Sequence, residues 1–158
     1  MSDEKFMLAA LKEAAKASAR DEVPVGAVIV DSATGKIVAK ARNQSEHGND
    51  PTAHAEIVAI RKACKNLKSK RLWNCDMYVT LEPCTMCAAA ISFARIRRLI
   101  FGANDAKGGA VINGVKFFEQ STCHHKPKIT AGVAAAESSL MLKAFFAAKR
   151  SNKKQGEN

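Results

Sequence analysis

The stretch DMYVTLEPCTMCAAAISFARIRRLIFGA, residues 76–103, decides the fold. Met77, Tyr78, Val79 and Thr80 form an aromatic and β-branched run that favours a strand over Asp76–Leu81. Pro83 loses no hydrogen bond where a helix begins, so it opens one from about Cys84 to Arg95. RLIFGA, residues 98–103, is then short and apolar enough for another strand. Two parallel strands cannot be joined by a tight turn, so strand, helix, strand in this order is the unit of a parallel crossover. The expected class is α/β.

The flanks extend the same pattern. Upstream, VPVGAVIVD contains a buried strand over Ala27–Asp31, SATGK is a turn, and Ile37–Arg42 is the second arm of a hairpin. Met7, Leu8, Leu11, Ala14 and Ala15 recur at helical spacing before it. NQSEHGND is a polar loop, after which Asp50 preceding Pro51, or Thr52, is placed to cap a helix running to about Asn66. Downstream, residues 104–128 are rich in Gly, Asn and Lys and read as loop, with one helical turn's worth of apolar residues at Val115, Phe117 and Phe118. KITAGV predicts a last short strand and Ala134–Arg150 a closing helix. One domain over residues 1–150 with a flexible basic tail, 151–158, is the expected organisation.

Composition narrows the class of function. The chain has 158 residues, 47% hydrophobic and 25% charged, which fits a globular domain and not a membrane span of ~20 apolar residues. MSDEKF is acidic where an export signal would be basic and then apolar, and the five cysteines are an odd number, so reduced thiols and a cytoplasmic location are expected. A formal charge of +10, from 25 Lys and Arg against 15 Asp and Glu, favours a polyanionic partner over a merely solvated basic surface once other features agree.

Those features lie in two short motifs. Cys84 and Cys87, three apart, place both sulfurs on one face of a helix start, where the helix dipole favours thiolates. Thirty positions earlier, DPTAHAEIVAI (residues 50–60) carries His54 and Glu56 at the start of another helix. One imidazole and two thiolates form a borderline-soft set suited to zinc, and three ligands leave the fourth tetrahedral position open, the arrangement of a catalytic site. The rival is closure of that position by Cys64, Cys75 or Cys123 in a structural site. Glu56 is suited to carry protons between water and an amidine-like ring, against the alternative that it merely complements the helix dipole. H-x-E followed by P-C-x-x-C is the signature of zinc nucleobase deaminases. Cys123, His124 and His125 raise a second metal site, but consecutive residues seldom converge on one ion, and a loop histidine near phosphate or ribose is the preferred reading.

EVPVGAVIV, DPTAHAEIVAI, YVTLEPCTMCAAAI and IFGANDAKGGA, taken together, resemble successive blocks of the bacterial tRNA-specific adenosine deaminases, with the similarity running from about residue 6 to residue 150. HAE and PCxxC are shared with the wider cytidine deaminase-like superfamily; GANDAK and the basic closing helix are what favour tRNA. The resemblance implies a three-layer α/β/α sandwich with a central five-stranded mixed sheet, a homodimer, and one Zn2+ per subunit held by His54, Cys84 and Cys87. It makes Glu56 the proton shuttle and matches Asn43 to a base-binding asparagine. Val25, Gly26 and Ala27 correspond to a pocket-lining segment, and Leu81 and Pro83 to backbone positions near the reacting amine. Asp105 and Lys107 match a loop contacting the nucleotide, and Phe145 and Phe146 match aromatics near the anticodon pocket; helical spacing puts Phe145 with Met141 and Ala148 on a core stripe and Phe146 with Arg150 on the rim. The implied reaction is hydrolytic deamination of the wobble adenosine in an anticodon stem-loop, that of an arginine tRNA, to inosine. Two other readings stay open: a free-base or nucleoside deaminase for guanine or cytosine, and a nucleic-acid-binding module with structural zinc. Ala89 stands where the family commonly has glycine, which helps the helix and leaves the chemistry alone.

Overall fold

The computed structural model describes residues 2–156. Among them, the elements in chain order are α1 (Asp3–Ala19), β1 (Gly26–Asp31), β2 (Ile37–Arg42), α2 (Ala55–Leu67), β3 (Cys75–Leu81), α3 (Thr85–Ala94), β4 (Arg98–Ala103), a 3-10 turn (Phe117–Glu119), β5 (Lys128–Thr130) and α4 (Ala135–Gly156). The strands make one mixed sheet in the order β2-β1-β3-β4-β5. β1 is antiparallel to both β2 and β3, while β3, β4 and β5 are parallel. The expected hairpin and the β3-α3-β4 crossover are both present.

Strand alternation sorts the apolar residues into two cores. Ala27, Ile29, Met77, Val79, Leu99 and Phe101 face the α2–α3 layer and pack with its alanines and Ile91. Val28, Val30, Tyr78 and Ile100 face Phe6, Met7 and Ala10 of α1, and α4 lies on the same side, against β4 and α1. Helices therefore cover both faces of the sheet, giving the three-layer α/β/α sandwich. Small side chains on α2 and α3 let these helices lie close to the strands whose ends carry the site.

Four local expectations change. α2 starts at Ala55, three residues after Thr52, because the Asp50 carboxylate accepts from the Thr52 N–H and hydroxyl and folds the loop on itself. His54, at φ −69° and ψ 153°, is the cap residue instead. On α1, Phe6, Ala10 and Ala17 complete the buried stripe with Met7, Leu11 and Ala14, whereas Leu8 is 55% exposed and Ala15 is also outside. The loop patch forms a 3-10 turn with Phe118 buried, but Val115 faces solvent. α4 continues past Arg150 to Gly156, so the first part of the expected tail is helical; Glu157 and Asn158, its last two residues, lie outside the described residues. No described helix is long and apolar enough to cross a membrane.

Candidate metal centre and the cavity above it

Cap positions build the site. His54 and Cys84 are each the residue just before a helix, in extended conformation, and neither side chain caps its own helix. Both are thereby free to turn toward the space between the two helix starts. Cys87 is the third residue of α3 and Glu56 the second of α2, so the N–H groups and positive dipole ends of both helices surround the cluster. On one mid-helix face His54 and Glu56 would diverge by roughly 200°; at a helix entrance they border the same space.

The His54 Nδ1 atom is 3.6 Å from Cys84 Sγ and 3.6 Å from Cys87 Sγ. Zinc bonds of ~2.0–2.1 Å to nitrogen and ~2.3 Å to sulfur at a tetrahedral angle require an N···S separation of about 3.6 Å, so the triad fits the ion. Among the described residues these three form the one group of four-ångström-scale metal donors, all within 4.8 Å of one another. Cys64, Cys75 and Cys123 stand apart from it as free thiols. Burial pushes the Cys75 thiol up to about 11, the opposite of what ligation by a thiolate needs.

The protonation chemistry of the triad points to a cation as well. A hydrogen bond from Cys87 pulls the Cys84 thiol down to about 5, helped by the Cys87 backbone N–H and His54 and opposed by burial. The same bond pushes Cys87 far up, together with burial and the Glu56 charge. Beside them Glu56 is only 4% exposed. Burial pushes its carboxyl up to about 7, against the stabilising bond from its own backbone N–H. A carboxyl near that value can both take and give a proton at neutral pH.

Above the triad opens a cavity of about 250 Å³ lined by Val23, Val25, Asn43, Ser45, His54, Ala55, Glu56, Leu81, Glu82, Cys84, Asp105 and Gly108. That volume lies below the roughly 300–1,000 Å³ of drug-sized sites and suits one small planar group. Of the sequence-based candidates, Val25, Asn43, Leu81 and Asp105 line it with His54, Glu56 and Cys84. Ala27 does not: strand alternation turns it into the α2–α3 core with no exposed surface, and Val23 takes its place in the wall. Pro83 is buried below the wall, where its carbonyl accepts from the Ala110 N–H at 2.9 Å. Lys107, Phe146 and Arg150 are exposed and lie outside the lining. Phe145 packs edge to face on Phe146 and lines a recess between α4 and α1 with Met141 and Ala148, in keeping with a packing role.

Val23, Ser45, Ala55, Glu82 and Gly108 were not singled out from sequence. The clearest signal missed is Glu82, an acidic residue between an apolar strand and the PC pair, which the structure buries to 2% exposure. Burial would raise its carboxyl, but N–H donors from Asp105, Asn113, Val111 and Ile112 outweigh it and hold it below the usual range. The trio Cys123, His124 and His125 makes no metal cluster among the described residues. His125 Nε2 lies 2.7 Å from the Ile96 carbonyl and its ring meets Trp73 edge-on, while His124 is exposed.

Comparison with known proteins agrees with this geometry. Residues 1–103 match the cytidine and deoxycytidylate deaminase zinc-binding region. The tRNA-specific adenosine deaminase of Agrobacterium fabrum is 58% identical over 145 residues, 92% of this chain and 94% of that one. A solved tRNA:A34 deaminase, an A-to-I editor at the wobble position of transfer RNA, superposes with a TM-score of 0.85 at 58% identity, covering 87% of this chain and 99% of its own. Guanine deaminase from Nitrosomonas europaea shares the fold alone, with a TM-score of 0.82 at 21% identity over 92% of this chain and 85% of its own. A ligand triad that fits zinc, a cavity for one base, and identity sustained through both together place the chain in the tRNA-specific adenosine deaminases, within the zinc-binding cytidine and deoxycytidylate deaminase family.

Proposed function

We propose that this chain hydrolyses the exocyclic amine of the wobble adenosine in a tRNA anticodon, giving inosine and ammonia, with an arginine tRNA as the carrier. The observation that carries it is the placing of Glu56 in one cavity with a three-ligand corner. His54, Cys84 and Cys87 would hold a zinc ion, which when bound would supply a water activated at neutral pH, its pKa lowered from 15.7 to about 7. Glu56 would carry both protons of the attacking water, the first to the ring nitrogen and the second to the departing amine, which leaves as ammonia while the water oxygen stays on the ring carbon. Asn43, whose Oδ1 accepts from the Ser45 N–H at 3.3 Å, offers its amide group to the base edge. Val25 packs on the base, the backbone at Leu81 meets the amine, and Asp105 with Lys107 borders the ribose-phosphate.

A small-molecule deaminase would have no use for +10 of net charge, whereas an anticodon loop presents splayed bases on a polyanion. Phe146, 44% exposed on α4, and Arg150 extend the RNA-facing surface. A homodimer accounts for Phe93, 65% exposed on α3, and for exposed Trp73 and Leu67 near α2. The protein works in the cytoplasm as one deaminase domain over residues 1–150. Inosine formation in an anticodon stem-loop with a wobble adenosine, with ammonia release compared against free adenosine, cytosine and guanine, tests the reading. Turnover confined to the free bases overturns the tRNA assignment and returns the chain to nucleobase deamination.

A further inference from the structure

The geometry points to Glu82 as the positioning residue that fixes the far wall of the cavity, the segment from Asp105 to Asn113, relative to the metal corner, and through it the affinity for the nucleotide. Glu82 stands two residues before Cys84. Its Oε1 accepts from the Asp105 N–H at 2.9 Å and from Asn113 Nδ2 at 2.7 Å. Its Oε2 accepts from the N–H groups of Val111, Ile112 and Asn113 at 3.0, 3.0 and 3.1 Å. All five donors belong to one loop, and among the described residues no cation pairs with this carboxylate. The loop therefore wraps a buried anion with its own backbone.

Close approach shows how tightly it wraps. A Cβ on Gly109 would lie 2.4 Å from Glu82 Cδ and 2.5 Å from the Asp105 carbonyl. Asp105 in turn accepts from the N–H groups of Lys107 and Gly108 through Oδ1, at 3.1 and 3.0 Å, which ties the turn that walls the cavity together. Its polar attachments to the residues ahead of α3 are the Glu82 carboxylate and the bond from Ala110 N–H to the Pro83 carbonyl, and Val111 packs into the α2–α3 core. Both anchors sit in the three residues just ahead of α3. Two of the three metal-ligating side chains, Cys84 and Cys87, and the substrate wall thus start from one short segment, and Glu82 sets the distance between them without touching the reacting atoms.

A purely structural glutamate would lower stability and leave the kinetics of the folded enzyme alone; a positioning one changes KM. This test rests on the tRNA reading for its substrate. Glu82→Gln keeps the shape but offers one acceptor oxygen for donors on two, leaving two or three N–H groups facing an amide. Zinc content should stay at one per chain, kcat at saturation should hold within about threefold, and KM for the anticodon stem-loop should rise about tenfold or more. Amide exchange should accelerate at least about tenfold in 104–113 and not in α2. Asn113→Ala, which removes one donor and leaves the carboxylate, should give the same signature on a smaller scale and serves if Glu82→Gln does not fold. KM and kcat both within about twofold in folded, zinc-loaded variants overturn the proposal; so does a loss that follows zinc content, or exchange that accelerates through α2 and α3 alike. If the unaltered chain makes no inosine from the stem-loop, the tRNA reading fails by itself. Confinement of the exchange change to 104–113 still decides the role of Glu82.

Discussion

Replacing Gly26 with alanine separates two roles that the segment Val25-Gly26-Ala27 could have. If all three residues walled the cavity, an added methyl would act on substrate binding. The structure assigns only Val25 to the wall and presses Gly26 against α1. A Cβ there would lie 2.0 Å from the Ala10 carbonyl oxygen, 2.6 Å from the Ala14 nitrogen and 2.9 Å from Glu13 Cβ, where ordinary contact begins at 3.4 Å. Two of these atoms are helix backbone, so no rotamer change relieves them, and α1 must retreat by more than an ångström. A gap of 0.5–1 Å already forfeits about a quarter to a half of each dispersion contact, here those of Phe6, Met7 and Ala10 on Val28, Val30 and Tyr78. Overpacking of this kind costs about 1–3 kcal/mol, and rigid opposition puts Gly26→Ala near the upper end. At ~2–4 °C per kcal/mol for a chain this size, the melting temperature should fall by on the order of 10 °C. Calorimetry at equal zinc loading measures it, with KM on the stem-loop recorded at a temperature where both proteins are folded. A melting temperature within about 2 °C of the parent, combined with a raised KM, would refute the packing assignment and put Gly26 in the wall.

Glu56→Gln should keep zinc, because the three donor atoms are untouched, and lower kcat by about 10²–10⁴, the usual worth of a placed acid–base group; metal analysis with single-turnover rates checks both, and a rate within tenfold of the parent would remove Glu56 from proton transfer. A different carboxylate carries a pH effect. Burial would raise the Glu22 carboxyl, but the N–H groups of His47 and Glu46 and the His47 ring outweigh it and hold it below the ordinary 4.5. Since a depressed folded value favours the ionised form, this contribution is complete above about pH 4.5 and is lost as pH falls through the folded value. NMR titration of Glu22, with the Glu46 and His47 amides as reporters, should give a midpoint under 4.5 and a loosening of loop 44–48 at the same pH. A midpoint at or above the ordinary value would show that the loop is held by something else; Arg20 and Arg42, which line the same recess, are the charges to vary next.

Where sequence and structure agree, the signals were local. β3 and β4 are legible because a β-branched and aromatic run and a short apolar run flank a helix whose entrance proline marks, and a parallel pair has no other way to connect. The metal ligands are legible because cap positions and C-x-x-C spacing are properties of a few neighbouring residues. The start of α2 was displaced because Asp50 has two good uses, capping a helix or closing a turn on Thr52, and sequence spacing does not rank them. Moving that start to Ala55 strengthens the site, since His54 becomes the cap residue and its ring is freed from the helix face. Ala27 fails for a different reason: a one-residue step along a strand reverses the face, so a segment-level match cannot tell wall from core. Glu82 lay beyond reach because its five donors come 23–31 positions later, from a Gly-rich loop with no periodicity to predict their convergence. Glu22 holds the loop that carries Ser45 by the same device, accepting from Glu46 N–H at 3.0 Å and His47 N–H at 2.9 Å. The candidate ligands are thus set by helix starts that a sequence displays, while two loops bordering the cavity are held by buried carboxylates that only the folded chain reveals. Substrate preference on this shared frame should therefore shift through these two loops before it shifts through the metal corner.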